Sequence, residues 1–202
     1  MTTGAGRPAQ RVGVRLLFIL TFASLCSVAF GTGEGVELKR SGNHVEVMVD
    51  GHTFTTYYFD PGVAKPYLFP LRSVEGTVVT RGFPMVSNIS GEDQDEPHQR
   101  ALYFAHGDVN GFDFWGEAAF PRWSRHSVST FGRTVFRKLD EMQSGSDSGT
   151  LVAEFDLMTP EGEAIAVETQ GYLFRGDEQS RTIDCKFTIQ ATHGPVRMGD
   201  TK

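Results

Sequence analysis

Residues 44–59 read HVEVMVDGHTFTTYYF, and this stretch decides the fold class. Apolar and polar side chains alternate along its first half, as expected of a strand with one buried face. The apolar side chains on that face are Val45, Val47 and Val49. Asp50-Gly51 separates this half from a second run rich in Thr, Tyr and Phe, and Asp-Gly is typical of a two-residue hairpin turn because both residues accept a positive φ. The stretch therefore predicts an antiparallel hairpin.

The same alternation recurs in Thr150–Met158, in Ile165–Phe174 and in Thr182–Ala191. The predicted inward side chains of the first and last of these runs are Leu151, Ala153, Phe155, Leu157, Ile183, Cys185, Phe187 and Ile189. Strands at this spacing, joined by turns rich in Gly, Pro and Ser, are typical of antiparallel sandwiches and barrels. We therefore expect an all-β, antiparallel β-sandwich. One short helix is expected, at Pro97–Phe104.

Composition and charge exclude several classes of function. The 202 residues include 19 Lys+Arg and 25 Asp+Glu, with a formal net charge of −6. This acidic balance argues against a nucleic-acid or anionic-membrane surface, which needs clustered positive charge. The two cysteines are Cys26, in an apolar N-terminal run, and Cys185. A single thiol in the rest of the chain excludes an intramolecular disulfide and a Cys-based zinc site there.

The N-terminal 31 residues have the pattern of a secretory signal peptide. The uncharged run LLFILTFASLCSVAF, residues 16–30, follows the three arginines Arg7, Arg11 and Arg15 and ends on small residues. This order predicts a signal peptide cleaved after Gly31. An uncleaved anchor is the alternative, although a spanning helix needs about 20 apolar residues. We expect a periplasmic or secreted protein, with one domain at residues 32–202 and no stable membrane span after cleavage.

Residue types used in catalysis and binding concentrate at residues 91–117, which read GEDQDEPHQRALYFAHGDVNGFDFWGE. An imidazole can act as a general acid or base near neutral pH, and a carboxylate can orient it. The candidate catalytic residues are therefore His98, His106 and Asp108. Asn110 and Asp113 can contact hydroxyl groups, and Trp115 offers a flat apolar face on which a sugar ring can lie.

Two alternatives use the same residues. Gly107–Gly111 is equally typical of a turn rich in Asx and Gly, with the aromatic residues that follow it in the core. His98, His106 and Asp108 could also supply three ligands to zinc or iron. However, seven residues separate the two histidines, and this spacing matches no standard ligand pair. The sequence leaves the cofactor unknown.

Lys65–Leu71 reads KPYLFPL, and its two prolines exclude a central strand. The simpler interpretation is an edge strand with Tyr67 and Phe69 in the core. The other is an extended path that presents Lys65 and Tyr67 to a cleft, which makes both of them candidate ligand-binding residues. The sequence contains no nucleophile elbow, P-loop or dinucleotide-binding motif.

Five segments resemble a family of exported bacterial proteins that carry the label methane oxygenase PmoA. They are Tyr58–Ser73, Thr77–Met85, Pro97–Glu117, Phe174–Asp184 and Ala191–Lys202. Members of that family continue past the GDTK motif that ends this sequence, so the resemblance implies a sandwich that is incomplete at its C-terminus. The family's β-rich build is similar to the galactose-mutarotase type of sandwich, which implies work on carbohydrates.

The family commonly has the stretch D-H-P-H-H-R-G, where residues 95–101 here read DEPHQRA. His98 and Arg100 therefore carry over, whereas Glu96 and Gln99 replace two histidines. The resemblance makes Arg100 a candidate for binding an anionic or hydroxyl-rich group. It also implies an oxygenase, but a membrane methane monooxygenase subunit needs several spanning helices, and this sequence has one short apolar run.

The sequence thus predicts an exported β-sandwich that acts on or binds a carbohydrate-like ligand. A noncatalytic binding module of the envelope is the alternative, and the altered histidines favour it. A metal-dependent oxygenase is a further alternative. We expect His106 and Asp108 to lie together in a surface cleft with Trp115 at its wall, and His98 to point into the same cleft.

Overall fold

Eight antiparallel strands form two sheets in the computed structural model, which describes residues 1–2, 35–120 and 130–201. The first sheet consists, in order, of β1 (Val36–Ser41), β2 (His44–Val49), β3 (His52–Tyr58) and β4 (Tyr67–Leu68). The second consists of β5 (Arg133–Gln143), β6 (Gly149–Met158), β7 (Ala164–Gly176) and β8 (Arg181–Gln190). The described residues contain no helix. The predicted all-β class is therefore confirmed.

All eight strands belong to a compact unit formed by residues 31–202. The predicted signal peptide, with Cys26, lies outside the described residues except for its first two positions, so it stays a prediction. No helix of the described residues is long and apolar enough to cross a membrane. The boundaries of the predicted domain, its likeness to galactose mutarotase and the incomplete C-terminus also stay predictions.

The β2–β3 hairpin forms where the sequence predicted it. Asp50 and Gly51 have φ angles of 51° and 76°, the left-handed conformation that an Asp-Gly turn supplies. Val49 pairs with His52 across the turn. The predicted inward valines of β2 are completely buried, and so are the predicted inward residues of β6, to within 1%. The alternation therefore predicted which face of these strands is buried, as well as the strands themselves.

The main core lies between the two sheets, because its buried side chains come from both of them. The first sheet and the segments beside it contribute Val36, Leu38, Val45, Val47, Val49, Phe54, Tyr57, Phe59 and Leu68. The second sheet contributes Leu151, Ala153, Phe155, Tyr172 and Phe174. Face-to-face packing of this kind defines a sandwich. Full burial of each large apolar side chain contributes about 1.5–3 kcal/mol.

A smaller apolar cluster fixes the loop around residue 109 over one end of the second sheet. Val109 and Phe114 pack there with Leu157 of β6 and Ala166 of β7. This contact anchors the segment that the sequence analysis singled out for function.

The predicted helix at Pro97–Phe104 is wrong. Residues in this range form a turn followed by irregular chain. Ala101, within the range, has a positive φ angle of 61°, which a right-handed helix cannot contain. The backbone of Leu102 also bonds that of Leu68 in β4, with N–H to O distances of 2.8 and 3.3 Å. The segment therefore extends the edge of the first sheet rather than coiling on itself.

Candidate ligand-binding site

Lys65, Arg100 and Glu117 form a buried group of charged side chains, which we call the charged cluster. Lys65 is completely buried, and Glu117 is 3% exposed. The Lys65 Nζ donates to Glu117 Oε1 at 3.1 Å. Arg100 donates through Nε and Nη2 to the two carboxylate oxygens of Glu117, each at 2.9 Å. Buried charges are tolerated when they are paired and hydrogen-bonded in this way.

The pairing favours the charged forms of Glu117 and Arg100. Burial alone would raise the pKa of Glu117, but its hydrogen bonds with Arg100 and the charges of Lys65 and Arg100 outweigh that effect and lower it. Burial likewise opposes the charge of Arg100, yet Glu117 raises the pKa of the guanidinium. For Lys65 burial prevails and lowers the pKa, although Glu117 works against it. Glu117 is therefore a carboxylate at neutral pH.

A turn at residues 113–117 delivers the carboxylate to the cluster. The completely buried Asp113 accepts hydrogen bonds through Oδ1 from the N–H groups of Trp115 and Gly116, both at 2.8 Å. A Cβ on Gly116 would lie 2.7 Å from Asp113 Oδ2 and 2.7 Å from Phe131 Cε1, so any other residue would force one of these side chains to shift. Lys65 Nζ also donates to the carbonyl oxygen of Trp115, at 2.7 Å. The turn is thus held by a buried acid on one side and a buried ammonium on the other.

Two aromatic rings cover the charged cluster. The ring centroids of Tyr103 and Trp115 are 5.3 Å apart, and the Lys65 Nζ lies 5.0 Å from the centre of the Tyr103 ring. Both rings line a surface pocket of about 450 Å³, which we call the aromatic pocket. Its other lining residues are Thr80, Arg81, Gln99, Ala101 and Leu102.

Several buried polar atoms around these rings have no hydrogen-bond partner among the described residues. They are Arg81 Nε, His98 Nδ1 and Tyr103 Oη, and the described part of the chain has one further such atom, Thr55 Oγ1 in β3. An unsatisfied buried group costs about 1–3 kcal/mol. Native proteins keep few of them, so three at one place mark it as different from the rest of the fold.

His98 lies next to the wall of the aromatic pocket. Its ring centroid is 6.3 Å from that of Trp115, and its Nε2 lies 3.4 Å from Glu96 Oε2. Burial, followed by the charge of Lys65, lowers the pKa of the imidazole, which is therefore neutral at pH 7. The residue is only 3% exposed, so it does not face a ligand in the pocket directly.

The other two candidate catalytic residues lie in a different environment. His106 Nε2 is 2.9 Å from the carbonyl oxygen of Gly199, and Asn110 makes hydrogen bonds of 3.2 and 2.7 Å to backbone groups of residues 195–197. Asp108 accepts a hydrogen bond of 2.8 Å from a backbone N–H of its own turn. These side chains hold the loop against the C-terminal segment, and they share no hydrogen bond or ion pair with His98 in the described part of the chain. Their role in catalysis stays a prediction.

The segment Lys65–Leu71 follows the edge-strand interpretation of its sequence, with Tyr67 in β4. Tyr67 belongs to the edge strand β4 and is buried, with its ring stacked on that of Tyr58 at a centroid distance of 5.2 Å. The Arg100 guanidinium lies 5.6 Å from the centre of the Tyr67 ring. Lys65 and Tyr67 therefore contact the other residues of the charged cluster, and neither lines the aromatic pocket.

Five residues of this site were not predicted from the sequence: Thr80, Arg81, Gln99, Tyr103 and Glu117. Glu117 carries a signal, because it is one of two acidic residues within the aromatic run GFDFWGEAAF, and a charge buried with such a run needs a partner. Nothing in the sequence distinguishes Tyr103 from the core aromatics. No group of three or more His, Cys, Asp or Glu in the described residues is arranged to hold a metal ion.

A family model described as "Family of unknown function (DUF6807)" matches residues 44–202. The chain belongs to this family. The matched region contains the charged cluster, the aromatic pocket and seven of the eight strands. No curated protein and no solved structure matches the chain. The resemblance to proteins labelled methane oxygenase PmoA stays a prediction.

Proposed function

We propose that this protein binds a carbohydrate-like ligand in the aromatic pocket. The observation that carries the proposal is the Tyr103–Trp115 pair, which lines a pocket of about 450 Å³ and is backed by the buried Lys65. Small-molecule sites typically enclose about 300–1,000 Å³ and combine aromatic walls with a few polar groups. An indole face accepts the apolar face of a sugar ring, which explains why a wall of this kind suits a carbohydrate.

The polar lining of the pocket fits hydroxyl groups. Thr80 offers a hydroxyl, Gln99 an amide and Arg81 a guanidinium, which together donate and accept hydrogen bonds. Arg81 is held in place because its Nη2 donates to the carbonyl oxygens of Asp93 and Asp95, each at 2.8 Å. A site that is fixed before binding loses less entropy when the ligand arrives.

Binding without turnover is the form of the function that the geometry favours. The acid and base groups, His98 and Glu117, are each 3% exposed, and Glu117 already accepts three hydrogen bonds from two cations. A general acid or base must come within hydrogen-bond reach of the substrate. Both groups support the wall instead of facing the ligand, which agrees with a noncatalytic binding module.

We also propose that the protein acts outside the cytoplasm. Three arginines followed by a short uncharged run support export. N-terminal sequencing of the protein recovered from an exporting host should find a mature start near Thr32. Recovery of the intact N-terminus in the membrane fraction would contradict this part of the proposal.

The binding proposal is tested by isothermal titration calorimetry against a panel of neutral and acidic mono- and disaccharides. At least one sugar should bind, and Trp115→Ala should weaken its affinity at least about tenfold, whereas Trp115→Phe should retain part of it. Gln99→Ala should weaken binding about tenfold through a lost hydrogen bond. The matched control is Gln143→Ala, because Gln143 is exposed at the far end of β5. Binding that Trp115→Ala leaves unchanged would overturn the proposal, as would a panel in which no sugar binds.

A further inference from the structure

The strand β8 is a long edge strand whose outer side is unpaired in the described part of the chain. It is the last strand of the sheet order β5-β6-β7-β8 and contains ten residues. Its pairing with β7 runs without irregularity from Val167↔Gln190 to Gly176↔Arg181. Such a strand presents a row of free N–H and C=O groups, which is a template for another strand.

The other sheet edges carry the features that block such pairing. The strand β5 contains two register irregularities, and a bulged edge is a poor template. The strand β1 is met by Gly145, whose backbone exchanges hydrogen bonds of 2.8 and 3.0 Å with Val36. The strand β4 is only two residues long. Among the described edges, β8 therefore combines length with regularity.

We propose that two copies of this chain associate by antiparallel pairing of β8 with β8. In the register that we propose, Cys185 lies opposite the partner's Cys185 on the two-fold axis. Asp184 then lies opposite the partner's Lys186, and by symmetry Lys186 lies opposite the partner's Asp184. The strand sequence RTIDCKFTIQ is thus complementary to itself when it is reversed.

Charge selects this register over its neighbours. Residues that face each other across antiparallel strands lie on the same side of the sheet. The next register that keeps this rule therefore moves the two-fold axis from residue 185 to residue 184 or 186. Moving the axis to residue 186 places two lysines opposite each other, and moving it to residue 184 places two aspartates opposite each other. Like charges directly opposite are destabilising, whereas opposite charges stabilise a pair by roughly 0.2–1 kcal/mol.

The remaining side chains of β8 fit the same arrangement. Asp184 pairs with Arg175 of the same chain. Its side-chain exposure of 66% leaves it accessible to the partner's Lys186 as well. On the core side Ile183 and Phe187 are only partly buried. The register places Ile183 opposite the partner's Phe187, which covers the apolar surface that each copy leaves open.

The test uses the full 202-residue chain with Cys26→Ser, so that Cys185 is the single thiol. Analytical ultracentrifugation should detect a dimer, and a short bismaleimide should cross-link it through Cys185. Asp184→Lys and Lys186→Asp should each raise the dissociation constant about tenfold or more, because each change creates two like-charge contacts. The double variant Asp184→Lys/Lys186→Asp restores opposite charges and should restore the dimer.

Glu141→Lys serves as the matched control, because Glu141 is exposed on β5, the other edge of the same sheet. It makes the same change of net charge as Asp184→Lys and should leave the dissociation constant unchanged. Circular dichroism checks that each variant is folded. A chain that stays monomeric would overturn the inference, and so would a dimer that does not cross-link at Cys185 or that all charge variants leave intact.

Discussion

Two glutamates of this protein are buried almost equally, and their pKa values move in opposite directions. Glu168 in β7 is 2% exposed, and burial raises its pKa to about 7. Glu117 is 3% exposed, and its pKa is lowered despite burial because Arg100 and Lys65 contact it. Burial alone therefore does not determine the charge of a carboxyl group. The partners at hydrogen-bond distance decide it.

The surroundings of Glu168 are neutral and closed. Gln170 Nε2 donates to Glu168, and Gln170 Oε1 accepts hydrogen bonds from the hydroxyls of Tyr57 and Tyr172, at 2.7 and 2.8 Å. We call these four residues the core network. It lies between the sheets, and its polar atoms form hydrogen bonds with one another.

The charged cluster differs in having an opening beside it. The aromatic pocket lies on its outer side, and the polar atoms without partners are found around Tyr103 rather than in the core network. A fully satisfied network contributes stability and rigidity, whereas unused hydrogen-bonding capacity beside a pocket can serve a ligand. One buried polar group is therefore satisfied within the fold, and the other lies beside the pocket in which we propose that a ligand binds.

The largest effect is expected from Glu117→Gln. This change removes the negative charge that the buried Lys65 and the partly buried Arg100 share, and an uncompensated buried charge costs about 3–5 kcal/mol. Urea denaturation should measure this loss of unfolding free energy. The control is Glu37→Gln, because Glu37 forms an exposed pair with Lys39 at 3.0 Å and should cost less than about 1 kcal/mol. Equal losses in the two variants would show that the cluster does not depend on its charge.

The second effect is a dependence of stability on pH that comes from Glu168. Its folded pKa of about 7 exceeds the ordinary value of 4.5, so its contribution is complete below pH 4.5 and is lost as the pH rises through 7. The loss amounts to about 3 kcal/mol at about 1.4 kcal/mol per pKa unit. Glu117 has a lowered pKa, so its contribution is lost only as the pH falls below 4.5.

Denaturation of the wild type and of Glu168→Gln between pH 4.5 and 8 isolates this effect. The two hydroxyls that face Glu168, those of Tyr57 and Tyr172, have pKa values raised by burial and stay neutral over the whole range. His98, whose pKa burial lowers, titrates equally in both proteins and cancels in the difference. The difference in unfolding free energy should change with pH, and a constant difference would contradict the assignment.

The third effect compares a glycine from each region. Gly116→Ala should cost about 1–3 kcal/mol, because its Cβ would overlap Asp113 and Phe131 at 2.7 Å. Gly171 lies in β7 between two residues of the core network, and its Cβ would meet the carbonyl oxygen of Lys186 at an ordinary 3.6 Å. Gly171→Ala should therefore be neutral or stabilising by up to about 1 kcal/mol. Thermal unfolding that ranks the two variants in the opposite order would show that the turn at the site can relax.

The fold was predictable wherever strands alternate regularly. The hairpin at Asp50 and the strands β6, β7 and β8 follow a period of two, and each was predicted from it. The strand β5 was not, because two register irregularities interrupt its alternation. The irregular segment at Pro97–Phe104 was mistaken for a helix, since only its contact with β4 and the positive φ angle of Ala101 exclude that structure.

The site was predictable in its residue types and less so in its pairings. Lys65, Arg100 and Trp115 were singled out as candidates, and the structure brings them together around Glu117. Their common partner Glu117 was missed, because 52 residues separate it from Lys65 and only the folded chain shows their contact. Glu168 and Gln170 share the inward positions of β7 with apolar residues, so the core network could have been inferred from strand parity.

The smallest effect compares the loss of one tyrosine hydroxyl from each of the two regions. The Tyr57 hydroxyl donates to Gln170 at 2.7 Å, so Tyr57→Phe should cost about 1 kcal/mol, the net contribution of one hydrogen bond. The Tyr103 hydroxyl is buried and has no partner among the described residues, so Tyr103→Phe should leave stability unchanged or raise it by up to about 1 kcal/mol. If ligand binding uncovers this hydroxyl and gives it a partner, the same variant should weaken sugar binding about tenfold, which Tyr57→Phe should not do. Urea denaturation and calorimetry on both variants give the four values. A Tyr103→Phe variant that loses as much stability as Tyr57→Phe would assign the Tyr103 hydroxyl to the fold.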